Sequence, residues 1–120
     1  MTALCDTPAW QSVNSPHSWR YYLQGTAVPG GTDVPIYAAP ARATVEDLVG
    51  LPPAYVIAYQ VDPTRDEGLD YARRLIQAGV PTEVHHYHGA FHMAHVIPGT
   101  NIGARMVSER IEAIRRMLCV

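Results

Sequence analysis

Cysteine is scarce in this sequence: Cys5 and Cys119 are the only two, and they stand near opposite ends. Two thiols with no short spacing make neither a zinc motif nor a disulfide framework. They read as free thiols of a reducing cytoplasm, with a bond between the two termini as the alternative. An excess of one charge is also missing. The formal net charge is −2, and no basic run exceeds two residues apart from the scattered arginines near the C-terminus. That leaves no electrostatic basis for binding nucleic acid or an anionic membrane. No apolar stretch approaches the roughly 20 residues of a membrane span. The first residues, Met1-Thr2-Ala3-Leu4-Cys5-Asp6, lack the charged n-region and long h-region of a signal peptide. Internal repeats and low-complexity segments are absent as well. Gly30-Gly31 follows no strand-like run and precedes no Lys-Ser/Thr, so it is a turn and not a phosphate loop.

What is present is enough for one packed domain. The 120 residues are 48% hydrophobic and 17% charged, which excludes wholesale disorder. Residues 1–14 show no period. Residues 15–23 predict a short helix, with Ser15 as its cap and Pro16 at the first helical position. Residues 24–53 are dense in glycine and proline (Gly25, Pro29, Gly30, Gly31, Pro35, Pro40, Pro52 and Pro53 among them) and predict a long surface excursion, with a helical turn at Val45-Glu46-Asp47-Leu48. Ala54-Tyr55-Val56-Ile57-Ala58-Tyr59 is almost continuously apolar, as in a parallel strand covered on both faces. Thr64-Arg65-Asp66-Glu67 matches a capping box. The helix after it carries Leu69, Ala72, Leu75 and Ile76 on one face and stops at Gly79 and Pro81. Thr82 to His88 predicts a second strand. A last helix follows from about Asn101 to Leu118, with Val107, Ile111, Ile114 and Leu118 on one face. The order is β-α-β-α with a right-handed crossover. Two strands alone leave both sheet edges open, so the chain reads as part of a larger sheet.

The two strand-to-helix loops hold the most chemistry. One is Gln60-Val61-Asp62-Pro63-Thr64, and the other is Gly89-Ala90-Phe91-His92. In a parallel sheet such loops emerge at one edge, where α/β proteins build their sites. An acid followed by a histidine on consecutive loops is the tail of the order Ser…Asp…His. In that system the histidine takes the serine proton and the carboxylate orients the ring. The bland reading of Asp62 is a turn or capping residue at a helix start. The serine expected first, within Gly-x-Ser-x-Gly, is missing: Ser12, Ser15, Ser18 and Ser108 have no flanking glycines.

Several motifs then stand in register. They are Gly50-Leu51-Pro52-Pro53-Ala54, Asp62-Pro63-Thr64-Arg65-Asp66-Glu67-Gly68, Tyr71-Ala72-Arg73-Arg74-Leu75, Ala78-Gly79-Val80-Pro81 and Gly89-Ala90-Phe91-His92. Together the chain resembles the C-terminal part of the hormone-sensitive-lipase-like carboxylesterases of the α/β-hydrolase superfamily, from about Asp6 onward. The resemblance implies that residues 1–120 are a C-terminal segment of that fold. It implies that Asp62 is the triad acid and His92 the triad base. It also implies hydrolysis of small carboxylic esters without metal or cofactor. The family's His-Gly-Gly-Gly oxyanion loop and Gly-Asp-Ser-Ala-Gly elbow have no counterpart here, so the isolated chain is expected to be inactive. Losing the nucleophile costs on the order of 10⁶-fold in rate in serine hydrolases. Met93 also follows His92 where the family usually has glycine, a side chain that would crowd the base or alter its loop.

Two other function classes fit parts of the sequence. An interaction module would pair through the exposed sheet edge, as a homodimer or with a missing N-terminal half. A metal module would use the histidines His85, His86, His88, His92 and His95, of which His86 and His88 share a strand face. Against it, the run holds no Asp, Glu or Cys. Tyr21, Tyr22, Tyr55 and Tyr59 read as packing residues, with an acyl-pocket role as the alternative.

Overall fold

The computed structural model describes residues 7–119. Cys5 lies outside them, and Cys119 is a free, exposed thiol. Five regular elements follow in order: α1 (Ser15–Tyr22), β1 (Ala54–Val61), α2 (Arg65–Gln77), β2 (Thr82–Phe91) and α3 (Asn101–Leu118). β1 and β2 form a parallel two-stranded sheet. The α/β order and the parallel pairing are those expected. No helix among the described residues is long and apolar enough to cross a membrane.

Both faces of the sheet are covered. Alternating side chains of β1 divide between two cores, as a strand period of two requires. On one face Ala54 and Val56 pack with Leu75, Val80, Leu48 and Ala43, which places α2 and the end of the excursion there. On the other, Tyr59 and Ile57 join Tyr87, Ala90, Ala94 and Met106, which places α3 there. Ala58 and Tyr59 are adjacent and both buried, as befits a strand sandwiched between layers. The excursion is irregular but anchored. Arg74 of α2 donates to the carbonyls of Ala43 (2.8 Å) and Ala41 (2.5 Å), and Arg42 donates to Gly31 O (2.6 Å) and Gly30 O (3.2 Å). Its helical turn is a 3₁₀ turn, Glu46–Leu48, where Asp47 accepts from both the backbone and the hydroxyl of Thr44.

β2 is longer than expected and is not uniform. The ladder runs in step from Ala54↔Thr82 to Tyr59↔Tyr87 and then resumes at Val61↔Phe91. Two residues on β1 thus face four on β2, so β2 carries a bulge at His88–Ala90. Gly89 sits there at φ +73°, a left-handed conformation that glycine adopts at no steric cost. Its N–H leaves the ladder and donates instead to the side-chain Oε1 of Gln60 (2.6 Å). The stretch read as a loop before His92 is therefore bulged strand.

Two helix details differ from the sequence expectation. Asn14, not Ser15, is the cap of α1, because a 3₁₀ turn at Ser12–Asn14 leads directly into it. In α3 the expected apolar stripe faces outward: Ile111, Ile114 and Leu118 are exposed, while Gly103, Met106 and Ala113 are buried. At Gly103 the crowding comes from the chain just before the helix, including the carbonyls of His95 and Ile97 (3.4 Å each). A Cβ on Gly103 would lie 2.7 Å from Thr100 Oγ1, the atom that caps the helix by accepting from Gly103 N.

A polar clamp completes the α3 contact. The buried Tyr87 hydroxyl donates to Glu109 Oε2 (2.5 Å), and Arg105 pairs with Glu109 Oε1 (3.0 Å) while its guanidinium lies 5.4 Å over the Tyr87 ring. Arg116 grips both oxygens of Glu83 (2.7 and 3.0 Å). His85 stands between, its Nε2 at 2.7 Å from Glu83 and its Nδ1 at 3.3 Å from Glu109. The Arg116 guanidinium, and then His85, hold the Glu83 carboxyl below its ordinary value of 4.5. The Tyr87 hydrogen bond, and then Arg105, do the same for Glu109. A lowered folded-state value means stability that is present at neutral pH and lost as pH falls through it. We therefore expect chemical-denaturation midpoints to fall as pH drops below about 4.5, with a shallower slope in Glu83→Gln and Glu109→Gln. Parallel pH profiles in the two variants and the parent would contradict the clamp.

Candidate active site

Asp62 is the first residue past β1, and it is buried at 3% exposure. A carboxylate there needs hydrogen bonds to offset lost hydration. Oδ1 accepts from the backbone N–H (2.8 Å) and hydroxyl (2.7 Å) of Thr64, which closes an Asx turn into α2. Oδ2 faces Nδ1 of His92 at 2.8 Å. The Asx turn and the histidine thus engage one oxygen each. The expected capping box is not formed. Thr64 is the residue before α2, but its side chain caps nothing and turns back to Asp62.

His92 is the first residue past β2, with its side chain 31% exposed. A carboxylate only accepts, so Nδ1 carries the hydrogen in this bond and Nε2 is left as the acceptor. The imidazole is also packed: Trp10 lies 5.8 Å away between ring centroids, tilted by 38°, and Tyr59 lies 6.3 Å away, edge-on at 70°. Tyr59 is held in turn by its hydroxyl, 3.1 Å from Nδ1 of His95, and burial pushes its phenol up from the ordinary value. Sequence reasoning did not single out Trp10, since the first fourteen residues show no periodic signal.

Met93, next in the chain, adopts φ 59°, ψ 23°, the left-handed region. This explains in physical terms why glycine suits the position. The side chain does not block the base; it is 45% exposed, and the strain lies in the backbone.

A half-open cavity of about 670 Å³ adjoins the pair, with Asp62 and His92 in its wall. Tyr22 and Tyr59 line it too, whereas Tyr21 is exposed and Tyr55 bonds to Tyr87. Ser12, Ser15 and Ser18 also border the cavity, yet among the described residues His92 hydrogen-bonds only to Asp62. The histidines of β2 do not converge. His86 and His88 are exposed, His85 is engaged by two glutamates, and no group of three metal-binding side chains occurs among the described residues.

An acid at the end of one parallel strand, bonded to a histidine at the end of the next, is the arrangement of one large class of hydrolytic folds. Residues 2–96 match the family described as alpha/beta hydrolase fold, and the chain belongs to that family. It is 39% identical over 90 residues to arylacetamide deacetylase of Rattus norvegicus, covering 75% of this chain and 22% of that protein. It is 46% identical over 68 residues to the esterase LipI of Mycobacterium tuberculosis, covering 53% and 21%. Among solved structures, a bacterial heroin esterase superposes with a TM-score of 0.87 at 47% identity, covering 95% of this chain and 36% of that one. The chain therefore spans only about a fifth to a third of these relatives. The hormone-sensitive-lipase-like resemblance and the partial α/β-hydrolase fold agree with these matches.

Two substitutions test the geometry. Thr64→Val removes one of the two donors to Asp62 Oδ1, and hydrogen bonds to a charged group are worth about 1.5–3 kcal/mol. We expect a loss near the lower end, read from urea unfolding, because the backbone donor remains. Met93→Gly should stabilise the fold by about 0.5–1 kcal/mol, the left-handed penalty less the flexibility glycine adds. A lower unfolding midpoint in Met93→Gly would show that the side chain packs more than its exposure indicates.

Proposed function

We propose that this chain supplies the acid and base of a serine carboxylic ester hydrolase. The observation that carries the reading is the 2.8 Å bond between buried Asp62 and His92, at the ends of paired parallel strands. The named relatives, two of them called esterases, support it. In this reading a serine hydroxyl attacks the ester carbonyl. His92 Nε2 takes the serine proton and passes it to the departing alkoxide. Asp62 holds the ring tautomer and stabilises the imidazolium. The acyl-serine is then cleaved by water, with His92 again as base. No metal or cofactor enters these steps.

The nucleophile and the oxyanion donors come, on this proposal, from polypeptide outside these 120 residues. The support is the missing Gly-x-Ser-x-Gly and the second edge of β1, unpaired among the described residues although the strand is apolar, of the kind found inside sheets. The same edge supports self-association of the isolated chain.

The test is complementation. Alone, the chain should not cleave 4-nitrophenyl acetate faster than free imidazole, and at micromolar concentration it should sediment as a dimer or larger. Co-expressed with the nucleophile-bearing segment of a related esterase, it should restore turnover. Asp62→Asn should then lower kcat by about 10⁴-fold, as in serine proteases where the wrong tautomer results. Robust turnover by the chain alone, abolished in His92→Ala, would mean that one of its own serines is the nucleophile. Undiminished turnover in complemented His92→Ala would end the esterase reading.

A further inference from the structure

We infer that Gln60 is a positioning residue for His92: its side-chain carbonyl pins the bulge in β2 and so sets where the imidazole meets Asp62. The inference deepens the esterase reading and rests on it, since it takes the Asp62–His92 pair as the working acid and base. Gln60 hydrogen-bonds to neither of those side chains. Its effect passes through the backbone of β2.

The two members of the pair are fixed by different means. Asp62 leaves β1 directly into an Asx turn, where the backbone and hydroxyl of Thr64 hold Oδ1 at 2.8 and 2.7 Å. That turn is complete without β2. His92 instead follows a strand whose ladder is interrupted. Pairing stops at Tyr59↔Tyr87 and resumes at Val61↔Phe91, so His88, Gly89 and Ala90 have no partner across the sheet. Gln60 is the β1 residue that faces them. The path of those three residues decides how far Phe91 and His92 advance along the sheet. One residue of strand rise, about 3.3 Å, is far more than the few tenths of an ångström that a hydrogen bond tolerates. A bulge that opened or tightened would therefore carry the imidazole out of reach of Asp62.

Gln60 spans the gap from both sides. Its Oε1 accepts from Gly89 N at 2.6 Å, and Gly89 stands at φ +73° within the bulge. Its own backbone carbonyl accepts from Arg65 Nη1 at 3.0 Å, and Arg65 opens α2 just past Asp62. One residue thus ties the loop of the acid to the backbone that carries the base. Gly89 is exposed, so water can replace Gln60 as the acceptor of its N–H. Stability depends little on this bond, because hydration offsets its loss. The position of the bulge does depend on it, because a water is not tethered to β1.

The experiment reads the tautomer of neutral His92 on the intact chain, from the NMR shifts of its two ring nitrogens. The 2.8 Å bond to Asp62 favours hydrogen on Nδ1. Gln60→Leu keeps the size and removes the acceptor. In it the ratio of Nδ1–H to Nε2–H ring should fall by about fivefold or more, while the urea midpoint moves no further than in Glu83→Gln. Gln60→Glu supplies an acceptor of the same reach and should return the ratio to within about twofold of the parent. Glu83→Gln breaks the contact with Arg116, away from the pair, and should leave the ratio unchanged. An unmoved ratio in Gln60→Leu would overturn the inference. An equal fall in Gln60→Leu and Glu83→Gln would overturn it too, as would a Gln60→Glu chain that behaves like Gln60→Leu or a Gln60→Leu chain that no longer folds. Each of these would make Gln60 a general support of the sheet. No ester enters the measurement, so a failed complementation would strike the esterase reading and leave the tautomer result standing, whereas an unmoved tautomer would strike only the role of Gln60.

Discussion

Parallel pairing of β1 with β2 is the constraint on which the remainder depends. Antiparallel strands would send their ends to opposite edges of the sheet. Parallel ones deliver Val61 and Phe91 side by side, and the next residues, Asp62 and His92, follow. The pairing in turn requires a crossover, which α2 provides, and cover on both faces, which α2 and α3 divide. Each helix is thus explained by the sheet before it is explained by its own propensity. Arg74 extends the arrangement outward, binding the irregular excursion to the helix that starts beside Asp62.

Within that frame, burial and hydrogen bonding act together on one carboxylate. Asp62 is nearly inaccessible, yet both of its oxygens are engaged. The Asx turn fixes Oδ1, and so fixes the direction of Oδ2, before His92 is considered. His92 is then held by three kinds of contact: an ionic hydrogen bond, a tilted indole and an edge-on phenol ring. What remains mobile in chemical terms is Nε2. The ring is fixed through Nδ1 and its packed faces and remains partly exposed beside the cavity.

Much of this was legible in the sequence, and the exceptions have identifiable causes. The four regular elements from β1 to α3 announced themselves by periodicity and by Gly and Pro stops. The loops of Asp62 and His92 followed from that order. Thr64 was misassigned because a cap and an Asx partner carry the same local signal; only the place of Asp62 decides which bond forms. The inward face of α3 was misjudged because periodicity locates apolar stripes without saying which one is inside. The bulkier stripe, with Ile111 and Ile114, is exposed, and the one with Gly103, Met106 and Ala113 is buried. The bulge in β2 was visible only as a glycine. Its meaning needed Gln60 from the neighbouring strand, a contact no local window contains. Trp10 lay in a segment without period and reaches His92 only through tertiary packing.

The bulge also has an arithmetic that bears on descent within such folds. It adds two residues to β2 against β1, an even number. Side chains alternate along a strand, so an even surplus keeps every later residue on the face it would otherwise occupy. Lineages could gain or lose the pair without turning His92 over, although removing it would draw the histidine back by roughly 6–7 Å at the usual strand rise. Within the bulge itself alternation is suspended: Ala90, three residues after Tyr87, packs in the same core as Tyr87 and Phe91. The even surplus leaves Phe91 on the side of Tyr87 and brings His92 level with the end of β1.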